Sequence, residues 1–315
     1  MRWPSLVVCV LALSVPSLIH GQSPPGCQLS LDARQDWQQR LGAVLSDESA
    51  RIEGAELNRL LDCFDHPDPA IRDQWVFESL SQLLRGGKVD ADGIAAAIDR
   101  LQPALNESEA SSPAAKSALV ATGGFRQPFA ALLLSELVRA DRVTPALPAE
   151  RVDRLAQSAS EYLSSISDYR AFDQTQGWRH GVAHGADLLL QLAVHPALGK
   201  QRQSDFLPAL KLQIRTDTLA YTHAEPERLA RAAYYLHQRG DVGAESWTQW
   251  LTELAAPAPL DNWGQAYQRE QDLRRRHNVL AFLQALGFAA RQGGGAQALA
   301  EQCDQQIVRV LSGAE

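Results

Sequence analysis

Several familiar catalytic signatures are missing from this 315-residue chain. There is no glycine-rich loop to cradle a phosphate with backbone N–H groups, and no G-x-S-x-G nucleophile elbow. The four cysteines fall at no metal-binding spacing. Phosphoryl transfer, serine hydrolysis and a cysteine-rich metal domain therefore have no basis in the sequence. Alternation of β-branched and polar residues is also absent, which argues against a sheet architecture. Beyond the first twenty residues no stretch approaches the roughly 18 uninterrupted apolar residues of a membrane span, so no stable membrane insertion is expected. Positive charge is in deficit: Lys and Arg number 30 against 37 Asp and Glu, for a formal charge of −7. That balance disfavours nucleic acid or an anionic membrane as the main partner.

The N-terminus has its own character. Arg2 precedes an apolar run from Leu6 to Val15, followed by small and polar residues to Gly21 and Gln22. This is the pattern of a secretory signal peptide over residues 1–21, with the remainder, 22–315, expected as one α-helical domain exported to the periplasm or the medium. Removing the leader removes Arg2 and no acid, so −7 becomes −8. Cys27, Cys63 and Cys303 remain, an odd number for an oxidising compartment. A Cys27–Cys63 disulfide is favoured because both flank the first helices. Nothing beside Cys303 would lower its pKa, so no catalytic use is expected of it.

Helical periodicity fills the rest. Trp37, Leu41, Val44 and Leu45 make one apolar stripe and Leu57, Leu60, Leu61 and Phe64 a second, together a helical hairpin. In His66-Pro67-Asp68-Pro69, Pro67 ends a helix, Asp68 caps the next and Pro69 supplies a preset φ at its start. Gly86-Gly87 stops that helix and Asp90 caps another. A polar loop over Asn106–Ser112 follows. Further helices are expected over Phe206–Arg215, Pro226–Arg239, Ser246–Leu254 and a long Asn262–Arg291, with a last one ending at Leu311. About a dozen helices with short links give an all-α fold of stacked hairpins, either a HEAT- or armadillo-like solenoid or a closed α/α ring.

The candidate site is Gly177-Trp178-Arg179-His180-Gly181-Val182-Ala183-His184-Gly185-Ala186-Asp187. On a helix turning about 100° per residue, His184 lies about 40° and Asp187 about 20° from His180, so one small object can touch all three. The intervening glycines and alanines allow a neighbouring helix to come close. His180 and His184 have the i, i+4 spacing of a helical metal pair, with Asp187 as a third donor, so zinc is possible. Gly181 stands where a zinc protease needs its glutamate. A buried polar network and a plain solvated face are the competing explanations. Trp178 either walls a pocket or, more simply, packs in the core. Asp173 and Glu227 are candidate general bases if the helices converge. His223 and His237 are isolated, and Arg274-Arg275-Arg276 reads as a solvated, ion-paired face with Asn278 turned inward.

These residues resemble those of DUF2785, a family of uncharacterised bacterial proteins. The resemblance rests on Asp168-Tyr169-Arg170 followed by Gly177-Trp178-x-His180-x-x-Ala183-His184-x-Ala186-Asp187-Leu188-Leu189. Echoes occur in Asp68-Pro69-x-x-Arg72-Asp73, Glu227-Arg228-Leu229 and His277-Asn278 with Phe282-Leu283. The chain departs from the family pattern at Phe125-Arg126-Gln127-Pro128-Phe129, where the family carries a serine-containing segment. Such a resemblance implies a helical-repeat fold and no particular activity. The function expected is a binding or scaffold module for a peptide, glycan or protein ligand, with Trp178, His180, His184 and Asp187 at its pocket. The alternative is a metal-assisted hydrolase.

Overall fold

The computed structural model describes residues 23–24, 26–106 and 123–313. The expected leader, and all of the polar Asn106–Ser112 segment except Asn106, lie outside the described residues. Within them the chain is mostly helical, with irregular connections such as 215–224 and 255–262 between helices. Its strands form a small hairpin in which Phe172–Asp173 pairs antiparallel with Gly177–Trp178.

The local stop and start signals act as expected. Asp68 accepts a hydrogen bond from the Ala70 N–H at 2.8 Å, with Pro69 opening the helix, and Asp90 accepts from the Gly93 N–H at 2.8 Å. Each carboxylate satisfies a donor that the first helical turn leaves unpaired. Cys27 and Cys63 form a disulfide, and Cys303 is a buried free thiol whose pKa burial pushes up to about 12. The first two helices, Arg34–Ser46 and Gly54–Leu61, find their main partners elsewhere than in each other. The first packs on Glu78–Arg85, where the Trp37 indole donates to Ser79 at 2.8 Å, and the second packs on Ala91–Leu105.

From Ala91 onward, six helices pack each against the next in chain order: Ala91–Leu105, Arg126–Val143, Gly181–Ala193, Glu225–Arg239, Glu270–Gln292 and Gln297–Ser312. Ala149–Ser165, Phe206–Ile214 and Ala244–Leu254 back this row. Their shared core is continuous, from Leu60 and Trp75 through Leu134 and Leu188 to Phe282 and Val310. The glycine directly after His184 acts as expected. A Cβ at Gly185 would stand 3.0 Å from Leu163 and 3.1 Å from Tyr162, so only glycine lets Ala149–Ser165 lie this close. The long helix expected from Asn262 is interrupted. Trp263–Gln268 is a 3-10 turn and Arg269 is extended, because Trp263 folds inward to donate its indole N–H to the Ala255 carbonyl at 2.8 Å.

One buried ion organises the N-terminal half of the row. After Pro69–Ile71 the helix widens into a π-helical stretch, Arg72–Phe77, before resuming as Glu78–Arg85. Its first residue, Arg72, is completely buried. The Arg72 guanidinium donates to the carbonyls of His66 and Pro67, to Asp73, and to the Gln176 carbonyl at 2.7 Å. Its flat face lies 3.6 Å from the centroid of Phe125, and Arg179 stacks on the same ring at 4.4 Å. Burial draws the Arg72 pKa down, yet every N–H has a destination, so the charge is tolerated. Arg72→Ala strands Asp73 and should lower unfolding free energy by about 3–5 kcal/mol. Chemical denaturation checks this, and a loss below about 1 kcal/mol would remove the clamp from the account.

Candidate functional site

The hairpin is built to hold Trp178 over the row. Asp173 Oδ1 accepts from the Thr175 N–H, the Thr175 hydroxyl and the Gln176 N–H, closing the tip. Gly177 then takes φ +74°, the left-handed residue that a three-residue hairpin loop requires. A side chain at that position would collide with Asp73 and Pro69 at 2.9 and 3.0 Å. Asp73 also accepts from the Trp178 backbone N–H, and Arg179 donates to the Gln176 side chain at 2.6 Å and the Gly123 carbonyl at 2.7 Å. The hairpin is thus gripped through its backbone, and the Trp178 ring is left 40% exposed, against the simpler expectation that it packs in the core.

His180 is not a helical residue. The helix begins at Gly181, and His180 stands at its N-cap with φ 53° and ψ 38°, a left-handed conformation that β-carbon-bearing residues rarely adopt. Ala224, at the N-cap of Glu225–Arg239, has φ 65°. They are the only non-glycine residues with positive φ among the described residues, and both border the same cleft. Strain of this kind is sustained only where surrounding structure over-determines it. Here the Asn278 side chain supplies part of that restraint. Turned inward as expected, it accepts from the Tyr221 N–H and donates to the Thr216 and Leu219 carbonyls, fixing the loop that delivers His223, Ala224 and Glu225.

The cleft has a volume of about 560 Å³ and receives Trp178, His180, His184 and Asp187. Three of the four have their rings in contact in series: Trp178 and His180 are 4.9 Å apart, and His180 meets His184 edge-on at 5.7 Å. His184 Nδ1 donates to the Pro128 carbonyl at 3.1 Å, since that oxygen can only accept, and its ring packs edge-on against Phe129. Nε2 is then the lone-pair nitrogen. Phe129 therefore lines the cleft, and the Pro128 carbonyl beside it anchors His184. Burial, followed by the neighbouring His180, pulls His184 down to about 3, so it is neutral. Asp187 does not face the two imidazoles as a free ligand: it is ion-paired with Arg228, and burial pushes its carboxyl up against that pairing. Among the described residues no group of three His, Cys, Asp or Glu side chains is arranged to hold a metal ion.

Both proposed general bases lie elsewhere. The Asp173 carboxylate is spent on its own turn, and Glu227 is exposed and outside the cleft. The carboxylate that reaches the imidazoles is Glu225, two residues earlier and buried, whose Oε1 lies 3.5 Å from His180 Nε2. Burial raises the Glu225 pKa, but His180 and the N–H groups of Glu225 and His223 outweigh it and hold the carboxyl below its usual range. At 3.5 Å the nitrogen lacks a well-formed hydrogen bond, which leaves His180 Nε2 a buried, weakly satisfied group. His195 points away and donates to the buried Asp141 at 2.8 Å, and His237 packs on Trp247. Three basic residues without a mark in the sequence pattern, Arg85, Arg139 and Arg231, also line the cleft.

The neutral state of His184 has a pH signature. Its folded pKa lies below the ordinary 6.5, so as pH falls the unfolded chain takes up the proton first. The contribution is fully present above pH 6.5 and is lost progressively between 6.5 and about 3. Denaturation curves at stepped pH should show wild type losing up to about 1.4 kcal/mol per unit more than His184→Gln across that window. Parallel curves would contradict the assignment.

A family model described as "Protein of unknown function (DUF2785)" matches residues 120–288. No curated protein and no solved structure matches the chain. The matched region covers more than half of the sequence and includes the hairpin, the three cleft histidines His180, His184 and His223, Asp187 and the Glu225 helix. By that match the chain belongs to the DUF2785 family.

Proposed function

We propose that this chain is an exported binding module, an open stack of HEAT-like helical hairpins whose cleft at Trp178, His180, His184 and Asp187 holds a segment of a peptide or glycan. One observation carries this reading: two left-handed residues and two packed helix N-termini are fixed around a 560 Å³ cleft that keeps an exposed indole at its rim. Cavities of this size are the usual setting for small-ligand or short-segment recognition. The Cys27–Cys63 disulfide supports export, since such bonds persist in oxidising compartments. The open stack is supported by contacts that run between neighbours along the row, the arrangement in which helical-repeat proteins bind partners. Fold-level analogy supplies only that last step.

A glycan and peptide array probed with wild type and Trp178→Ala tests the reading. The exposed indole can be removed without opening the core, so the variant should fold normally while losing about tenfold or more in affinity for every bound probe. Equal binding by both proteins would move the ligand site away from the cleft.

Hydrolysis is the second reading, favoured by the buried Glu225 beside His180. In it, Glu225 orients the His180 ring, and the imidazole accepts a proton from water attacking the bound segment. Chain shortening of a bound probe by wild type, lost in Glu225→Gln, is the outcome this reading expects. An intact probe after prolonged incubation leaves binding alone.

A further inference from the structure

The chain as a whole is acidic, yet the cleft is not. Arg85 reaches it from Glu78–Arg85, Arg139 from Arg126–Val143, and Arg228 and Arg231 from Glu225–Arg239. Against these four guanidinium groups stand two carboxylates, Glu136 and Asp187, because the third, Asp73, is already committed to Arg72. Glu136 is shared by Arg85 and Arg139, and Asp187 is taken by Arg228. Arg231 is exposed and acts on Asp187 only through space, the direct ion pair with that carboxylate being made by Arg228. Even counting Asp73, the cleft lining carries four arginines against three carboxylates on a protein of net charge −7. Such a local reversal attracts anions, and guanidinium groups bind carboxylates in a planar, bidentate way.

The rim adds a second kind of surface. Trp178 and Phe172, 40% and 48% exposed, stack with ring centroids 4.9 Å apart on the hairpin. Exposed aromatic faces are electron-rich and suit the polarised C–H face of a pyranose ring. Aromatic faces beside an arginine row match a sugar that bears a carboxylate better than either feature alone matches a peptide.

We propose that the cleft binds acidic oligosaccharides, chains of uronic-acid type, with sugar faces on Trp178 and carboxylates on Arg139 and Arg231. This inference rests on the reading of the cleft as the ligand site. Titration calorimetry on the full mature chain uses three probes: oligogalacturonate, the same oligomer with its carboxyl groups reduced to alcohols, and oligoglutamate of matched charge. Oligogalacturonate should bind, at least tenfold more tightly than its neutral counterpart, with affinity falling as salt rises. Arg231→Gln and Arg139→Gln should each weaken it about tenfold, whereas Arg154→Gln, exposed on the backing helix Ala149–Ser165, should not. Equal binding of the neutral oligomer in a Trp178-dependent manner would overturn the anionic specificity and leave the cleft as a ligand site. Preference for oligoglutamate, or no binding of oligogalacturonate, would overturn the proposal. Oligogalacturonate binding that survives Trp178→Ala would overturn the cleft itself.

Discussion

The structure around the cleft depends on where a buried guanidinium puts its donors. Arg72 is held in a π-helical turn, stacked on Phe125, and spends its N–H groups on carbonyls from two separate segments. An arginine so buried is tolerable only if all of its donors are satisfied, which converts a desolvation cost into a positional constraint. The hairpin carrying Trp178 can occupy only one place if the Gln176 carbonyl is to meet Arg72. Arg179 repeats the device against the same Phe125 ring, and burial beside Arg170 brings its pKa down to about 10. Two cations sharing one ring are compatible because each has its own carbonyl and carboxamide or carboxylate acceptors.

That constraint explains the strain next to it. His180 receives a fixed approach from the hairpin, its N–H bonded to the Arg170 carbonyl, and a fixed departure from the helix that starts at Gly181. The left-handed backbone is the conformation that joins them. Ala224 is held in the same way by the Asn278 clip, and the two caps bring His180 and Glu225 together across neighbouring helices. The result is a floor of neutral or paired polar groups, His184 tied to Pro128 and Asp187 tied to Arg228, beneath a rim with spare positive charge. Preorganisation of this sort reduces the ordering cost of binding, because few side chains have to be immobilised afterwards.

Much of this was legible from local chemistry. The Asp68 and Asp90 caps, the close approach at Gly185 and the inward Asn278 all follow from rules that act within a few residues or on one helix face, and the favoured Cys27–Cys63 pairing formed although spacing alone does not fix it. The shared surroundings of His180 and His184 were also legible, although for an incomplete reason. The spacing argument assumed one continuous helix, whereas His180 lies at its left-handed cap and meets His184 from the end of the helix. What escaped was non-local. Choosing Glu225 over Glu227 requires knowing which side of the helix meets its neighbour, and two residues turn that side by about 200°. The hairpin at Gly177 is too short to show alternation, and its position depends on Arg72, more than a hundred residues earlier in the chain. The long helix from Asn262 was misread because the inward turn of Trp263 answers to the Ala255 carbonyl and leaves no mark on the apolar periodicity.

The most direct test of the central claim is a residue-resolved map of ligand contact by NMR, observing indole and guanidinium N–H resonances while oligogalacturonate is added. The account predicts that the Trp178 indole and the Arg139 and Arg231 side chains shift first and together, with His184 remaining neutral. Shifts confined to another hollow, such as that between Arg34 and Trp37, with the Trp178 signal unmoved, would contradict it.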